Sequence, residues 1–356
     1  MKRINCSIKA LALAFFILFI QTSCSKDESV PNQVENPEEE VDYGNIDDLM
    51  QHAGGNSKSF NTPMGIHYEY LKATTADDKV WLENPNNEPT VPKGMVGNFD
   101  LKAFPVTLYP FGNPSPSDCN QRSMGDCSAI SVFASLAYIN PEYIKSIISS
   151  NSDGSFKVRM FDPAGKEIYV SVSNKFLSPI NETGLAAVSG KKGQATWATI
   201  LEKALMKYID RYKLVETIEG IGSETASPAF TGEGESYAFW PERLTAAELK
   251  RAVEVSLAEG KIVIGGFNKG DIKIGQSKTV TAHAWTFIYA PKSQVNGYEP
   301  MFVMRNPWGS DNGTDLDGLM FIPKDETIAD MIDLRIILAG KAKPSKVPTT
   351  FTPPRY

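Results

Sequence analysis

The chain has 356 residues, 42 % hydrophobic and 22 % charged, with a formal net charge of −6 and a pI near 5.3. An acidic chain without basic clusters has little with which to track phosphates, which argues against a nucleic-acid partner. Its four cysteines supply neither a disulfide framework nor a metal-binding array.

At the start, Lys2 and Arg3 precede an apolar run from Ala10 to Ile20, too short to span a bilayer but suited to a signal-peptide core. Residues 1–23 are therefore expected to be removed on export. The run ends in Gln21-Thr22-Ser23-Cys24, which resembles the lipobox of bacterial lipoproteins. Cleavage before Cys24, a lipid on Cys24, and anchoring to the bacterial outer membrane or cell surface are the expectation. Ordinary signal cleavage with a soluble product is the alternative, because Gln21 stands where Leu is usual. Residues 24–48 hold Glu38, Glu39 and Glu40 among Pro31, Pro37 and several Asn, a composition that cannot bury a core and predicts a disordered acidic tether. Residues 49–104 read as an N-terminal extension packed on the core or as a prosegment over its cleft.

A core over 105–340 and a tail over 341–356 follow. Ile130, Phe133, Ala134 and Ala137 recur at helical spacing after Cys127, so Cys127 opens a buried helix. Phe156 to Phe161 and Glu167 to Ser173 alternate about Asp162-Pro163-Ala164-Gly165 and predict a hairpin. Trp197, Leu201, Ala204, Leu205, Tyr208 and Tyr212 form one amphipathic helical stripe. Thr245-Ala246-Ala247-Glu248 is a capping-box pattern, and Gly260 suits the end of that helix. Beyond it, Lys261 to Phe267, His283 to Ala290, Met301 to Arg305 and Leu319 to Ile322 read as strands. Asn268 to Thr279, with Gly270, Gly275 and three Lys, reads as a solvated loop or a gate.

The chemistry lies in three stretches: Gln121-Arg122-Ser123-Met124-Gly125-Asp126-Cys127, Thr281-Ala282-His283-Ala284-Trp285 and Arg305-Asn306-Pro307-Trp308-Gly309. A thiol is a strong nucleophile only as thiolate, which a nearby imidazolium and a helix N-terminus both favour. Cys127 and His283 are the candidate pair, since His52 and His67 both precede the Cys. Asn306 could hold the imidazole through its amide oxygen, as in Cys-His-Asn proteases. Gln121 could join the backbone N–H of Cys127 in stabilising an oxyanion. The gap from Cys127 to His283 slightly exceeds the roughly 130–150 residues of papain-like enzymes.

Gln-x5-Cys with Gly-Asp before the Cys, together with Arg-Asn-Pro-Trp-Gly, resembles the calpain protease core. Trp197-Ala198-Thr199-Ile200-Leu201-Glu202-Lys203-Ala204 is similar to that family's Trp-x-x-Leu-Leu-Glu-Lys-Ala helix, and Phe230-Thr231-Gly232 to its Phe-Thr-Gly. The resemblance covers about residues 105 to 325. It departs at Ser128, where calpains usually carry Trp. It implies an α+β fold, a papain-like two-lobed core with a helical lobe and a β-rich lobe, and a cysteine endopeptidase acting on proteins or peptides. Animal members carry calcium sites, so calcium is possible, but Asp311, Asp315 and Asp317 depart from the standard calcium-loop spacing. No metal and no cofactor is predicted. A catalytically inactive, peptide-binding surface lipoprotein is the competing reading, and acyl transfer of the transglutaminase kind is a third, disfavoured by Asn306 in place of Asp. A Cys119–Cys127 disulfide would switch the enzyme off.

Overall fold

The computed structural model describes residues 73–351, apart from 235, 240–243, 275–276, 289–299, 311–316 and 324–325. The expected signal peptide, Cys24 and the acidic tether lie outside the described residues, as do Asp311 and Asp315.

Helix α1 (Ala76–Glu83) starts at a reciprocal capping box between Thr75 and Asp78. Strand β1 (Phe99–Ala103) and a short turn at Pro116–Asp118 lead to α2 (Cys127–Ile139), buried from Ala129 to its end. A helix apolar on all sides belongs in the middle of a core. Helix α3 (Pro141–Ile147) follows at once, its first turn capped by the Asn140 side chain on the Tyr143 N–H. Strands β2 (Ile148–Ser150), β3 (Phe156–Phe161) and β4 (Glu167–Val172) form an antiparallel sheet in that order. The β3–β4 hairpin turns where expected, because Asp162 Oδ1 accepts from the N–H groups of both Ala164 and Lys166. Strand β5 (Lys175–Pro179) pairs with β1, and α4 (Trp197–Tyr212) and α5 (Ser223–Thr231) complete the helical lobe.

Helix α4 corrects the single-stripe expectation, since every residue from Trp197 to Ile209 is buried, Glu202, Lys203 and Lys207 included. The reason is that its polar side chains are wrapped by carbonyls. Lys207 Nζ donates to Ser171 O at 2.6 Å and Asn84 O at 2.9 Å; Lys203 Nζ donates to Lys175 O at 2.5 Å and pairs with Glu88 at 2.6 Å. Burial lowers both ammonium groups to about 8. Residues 82–88 are thus fastened to α4 as part of the lobe's own packing.

The second lobe contains β6 (Ser236–Phe239), α6 (Ala246–Ala258), β7 (Ile262–Phe267), β8 (Lys273–Ile274), β9 (Ser277–Lys278), β10 (Ala284–Ile288), β11 (Pro300–Arg305), β12 (Leu319–Pro323), α7 (Glu326–Ala329) and β13 (Ile332–Ile337). Six of the strands form an antiparallel sheet in the order β12-β11-β10-β7-β13-β6. Gly265 and Gly266 of β7 permit this closeness: a Cβ on Gly265 would lie 2.5 Å from the Phe287 ring, and one on Gly266 would lie 2.7 Å from Asp333 Oδ1. The fold is therefore α+β, with the two expected lobes. Within 268–279, β8 pairs with β9, Ile274 is buried and Thr279 Oγ1 donates to Lys269 O, while Asn268, Lys269, Asp271, Lys273 and Lys278 are exposed as a solvated segment requires.

Candidate active site

Helix α2 packs against β10 and β7 of the opposite lobe. Ser131, one turn beyond Cys127, fixes the register: its Oγ donates to Ala284 O at 3.1 Å, and Thr286 Oγ1 donates to Ser131 O at 2.8 Å. The Ala284 N–H consequently meets Cys127 Sγ at 3.4 Å, which sets His283 beside the thiol-bearing turn. His283 is 8 % exposed. Its Nε2 lies 2.8 Å from Asn306 Oδ1, an oxygen that also accepts the Trp308 N–H at 3.0 Å. Because a backbone donor identifies that atom as the acceptor, the Nε2 carries the proton and the Nδ1 keeps the lone pair. Trp308 lies tilted over the imidazole with ring centroids 4.5 Å apart, and Trp285 meets it edge-on at 5.8 Å.

Asn306 is placed by its neighbours on both sides. Its N–H donates to Gly318 O at 2.8 Å, and Pro307 O accepts the Gln121 N–H at 2.7 Å. Arg305, fully buried, donates from Nη1 to Cys119 O at 2.9 Å and from Nη2 to Asn120 Oδ1 at 3.3 Å, with its Nε 3.3 Å from Asp317 Oδ2. Ser117 Oγ also donates to Asp317 Oδ2 at 2.6 Å, and Lys191 Nζ lies 3.0 Å from Oδ1. The 305–309 turn thereby locks onto the segment that carries Gln121. Gly309, with φ +69°, has no substitute here, because a Cβ would fall 1.5 Å from Asn120 Oδ1.

The electrostatics differ from the expected thiolate–imidazolium pair. Burial pushes the Cys127 thiol up, against the Ala284 N–H and the N–H and hydroxyl of Ser128, and burial pushes His283 down to about 4 despite Asn306. A low dielectric disfavours both charged forms, so burial works against a thiolate–imidazolium pair at rest. Gln121 differs in detail too. Its Nε2 donates to Met124 O at 2.7 Å and to Asp126 Oδ1 at 3.3 Å, so both amide protons are engaged. Cys119 and Cys127 are both free thiols, and Cys119 is buried. Asp317, read in the sequence as a calcium-loop candidate, is occupied by Lys191, Arg305 and Ser117. Among the described residues no group of three or more His, Cys, Asp or Glu is arranged to hold a metal ion. Ser131 was missed in the sequence, where it looks like an ordinary helix residue, and the roles of Arg305 and Asp317 as a buried pair behind the Asn306 turn were not read from the motif or the calcium-loop spacing that contain them.

The depressed imidazole gives a testable pH dependence. With the folded value near 4 and the unfolded value near 6.5, the unfolded chain binds more protons between those limits. The stability from neutral His283 is complete above pH 6.5 and is lost as pH falls through 4. Between pH 7 and 4, the wild type should lose about 3 kcal/mol more than His283→Gln, as urea unfolding at each pH will measure.

A helical lobe and a β-rich lobe joined at a Cys, a His and an Asn are the plan of papain-like cysteine proteases. The chain belongs to the calpain family of cysteine proteases, whose family model matches residues 101–315. It is similar to the calpain-type cysteine protease DEK1 of Zea mays, at 27 % identity over 264 residues, covering 66 % of this chain and 11 % of that protein. It is also similar to the calpain-type cysteine protease ADL1 of Oryza sativa subsp. japonica, at 28 % over 222 residues, covering 56 % of this chain and 9 % of that protein. The chain spans about a tenth of the length of these relatives.

Proposed function

We propose that the chain is a cysteine endopeptidase that hydrolyses peptide bonds through a thioester acyl-enzyme. The observation that carries this reading is the Nε2 to Asn306 bond, which leaves Nδ1 as the imidazole's basic nitrogen next in sequence to Ala284, whose N–H holds the thiol. From a neutral resting pair, the Cys127 proton passes to Nδ1 as Sγ attacks the scissile carbonyl. The oxyanion is met by the N-terminal N–H groups of α2 and by Gln121, once the latter turns the N–H now on Met124 O toward it while its bond to Asp126 holds the amide in place. Imidazolium then protonates the leaving amine, and neutral imidazole activates the water that cleaves the thioester. Substrates are proteins or peptides, with no metal in the reaction. Acylation at Cys24 would make the enzyme a lipid-anchored, exported protein; the mass of the mature N-terminal peptide checks this.

Ser128 supports the competing reading of an inactive peptide-binding surface lipoprotein, because it replaces the family's Trp. Its hydroxyl and N–H nevertheless favour a thiolate on Cys127. A peptidyl epoxide should alkylate Cys127 in the wild type and leave His283→Ala unmodified, as read by peptide mass. Absence of adduct in both proteins would support the binding module instead.

A further inference from the structure

Asp126 stands between the proposed nucleophile and the proposed oxyanion donor. It occupies the N-cap of α2 and is fully buried, yet its side chain makes no capping bond to the helix. Oδ1 instead accepts from Gln121 Nε2 at 3.3 Å. Oδ2, also buried, meets no N–H donor among the described residues. Its hydrogen-bonding neighbour is the carboxyl of Glu202, buried on α4, whose Oε1 accepts the Val188 N–H at 2.9 Å. Two carboxyl groups in hydrogen-bond contact require a proton between them. Oδ2 of Asp126 is buried without a donor, and a second fully buried acid, Glu202, is its carboxyl neighbour, so a proton held by the pair satisfies both.

We propose that Asp126 is a positioning residue that, through one proton shared with Glu202, holds the Gln121 amide at the entrance of the nucleophile helix. The inference rests on the peptidase reading for the use made of Gln121. With one proton the pair bears one negative charge, enough to accept from Gln121. Loss of that proton puts two anions in one dry space beside a third carboxylate, Glu219, which packs on Gly125. Their repulsion displaces Asp126, and with it both Gln121 and the adjoining Cys127, whose thiol a negative Asp126 already pushes up. Burial raises Asp126 to about 7 and Glu202 well above the usual carboxylate range. Folded values above the unfolded ones mean that this stability is present at low pH and is lost as pH rises through the folded values.

Asp126→Ala, Asp126→Asn and Glu202→Gln in the full chain test this, with hydrolysis of benzyloxycarbonylglycine p-nitrophenyl ester and thermal unfolding each measured across pH. Asp126→Ala should lower kcat by about 10- to 100-fold while KM changes far less, because a mispositioned oxyanion donor acts in the transition state. Asp126→Asn should restore most of that loss, since its Oδ1 can accept from Gln121 and its Nδ2 can donate to Glu202. The melting temperature of the wild type should fall on the alkaline side, and that of Glu202→Gln should stay flatter, an amide having replaced the shared proton. Unchanged kcat in Asp126→Ala overturns the proposal. Parallel melting curves for the wild type and Glu202→Gln overturn it whatever the ester assay shows. A wild type inert to both ester and epoxide removes the positioning role together with the peptidase reading, and the melting curves then report on the shared proton alone.

Discussion

Replacing Cys127 with Ala should abolish turnover, lowering kcat on the order of 10⁶-fold, the scale on which loss of a covalent nucleophile acts. The nearby alternatives are poor nucleophiles: Ser128 has only an ordinary hydroxyl, Ser131 Oγ is committed to Ala284 O, and Cys119 is buried at the Arg305 contact. The fold should survive the change, because Cys127 lies at the first turn of α2, whose packing begins at Ala129. Circular dichroism and melting temperature should therefore match the wild type while hydrolysis of a fluorescein-labelled casein disappears. Undiminished cleavage by the variant would sink the assignment of the nucleophile. His283→Ala should lose nearly as much, and Asn306→Ala less, because the latter removes an orienting bond and leaves the base in place.

The second large effect is on stability. Arg305→Met should destabilise the protein by about 3–5 kcal/mol, the cost of breaking a buried ion pair by removing one partner. Methionine would fill much of the space but would leave Asp317 Oδ2, Asn120 Oδ1 and Cys119 O without the guanidinium. Asp317 keeps Lys191 and Ser117, so the loss should stop short of the full cost of an isolated buried charge. Arg305→Lys should rescue little, because a single ammonium cannot address three acceptors in the directions of a planar fork. Urea unfolding with an unchanged m-value measures the effect. A cost under about 1 kcal/mol would show that the cluster merely balances its own desolvation. Epoxide labelling of the folded fraction should slow as well, since the same residue ties the Gln121 segment to the Asn306 turn.

Much of this architecture can be read from local pattern. The β3–β4 hairpin is announced by alternation and by Asp162-Pro163-Ala164-Gly165, α6 by the Thr245 capping box, and the opening of α2 by the apolar spacing after Cys127. The order Cys127, His283, Asn306, with the Asn inside Arg-Asn-Pro-Trp-Gly, fits the calpain family to which the chain belongs. What remained hidden depends on partners distant in sequence. Strand β13 has an alternating pattern of its own, but its seat between β7 and β6 is set by pairings across long stretches of chain. Glu202, Lys203 and Lys207 look like the solvated face of a helix, and only distant backbone groups make their burial tolerable: the carbonyls of residues 82–84 and 171–175 for the two lysines and the Val188 N–H for Glu202. The Asp126–Glu202 contact joins residues on a loop and a helix that no spacing rule connects. Burial likewise works against the charged forms of Cys127 and His283, which residue identity alone would favour.

Helix α2 belongs to one lobe by sequence and is bonded to the other through Ser131. The thiol and the imidazole are therefore mounted on a single mechanical unit, with Ala284 and Thr286 as its rivets. A swing of the two lobes about the cleft would have to shear those bonds before it could part the reacting atoms. Under the proposed function, control that leaves those bonds intact would act on what reaches the dyad and not on the gap between the lobes.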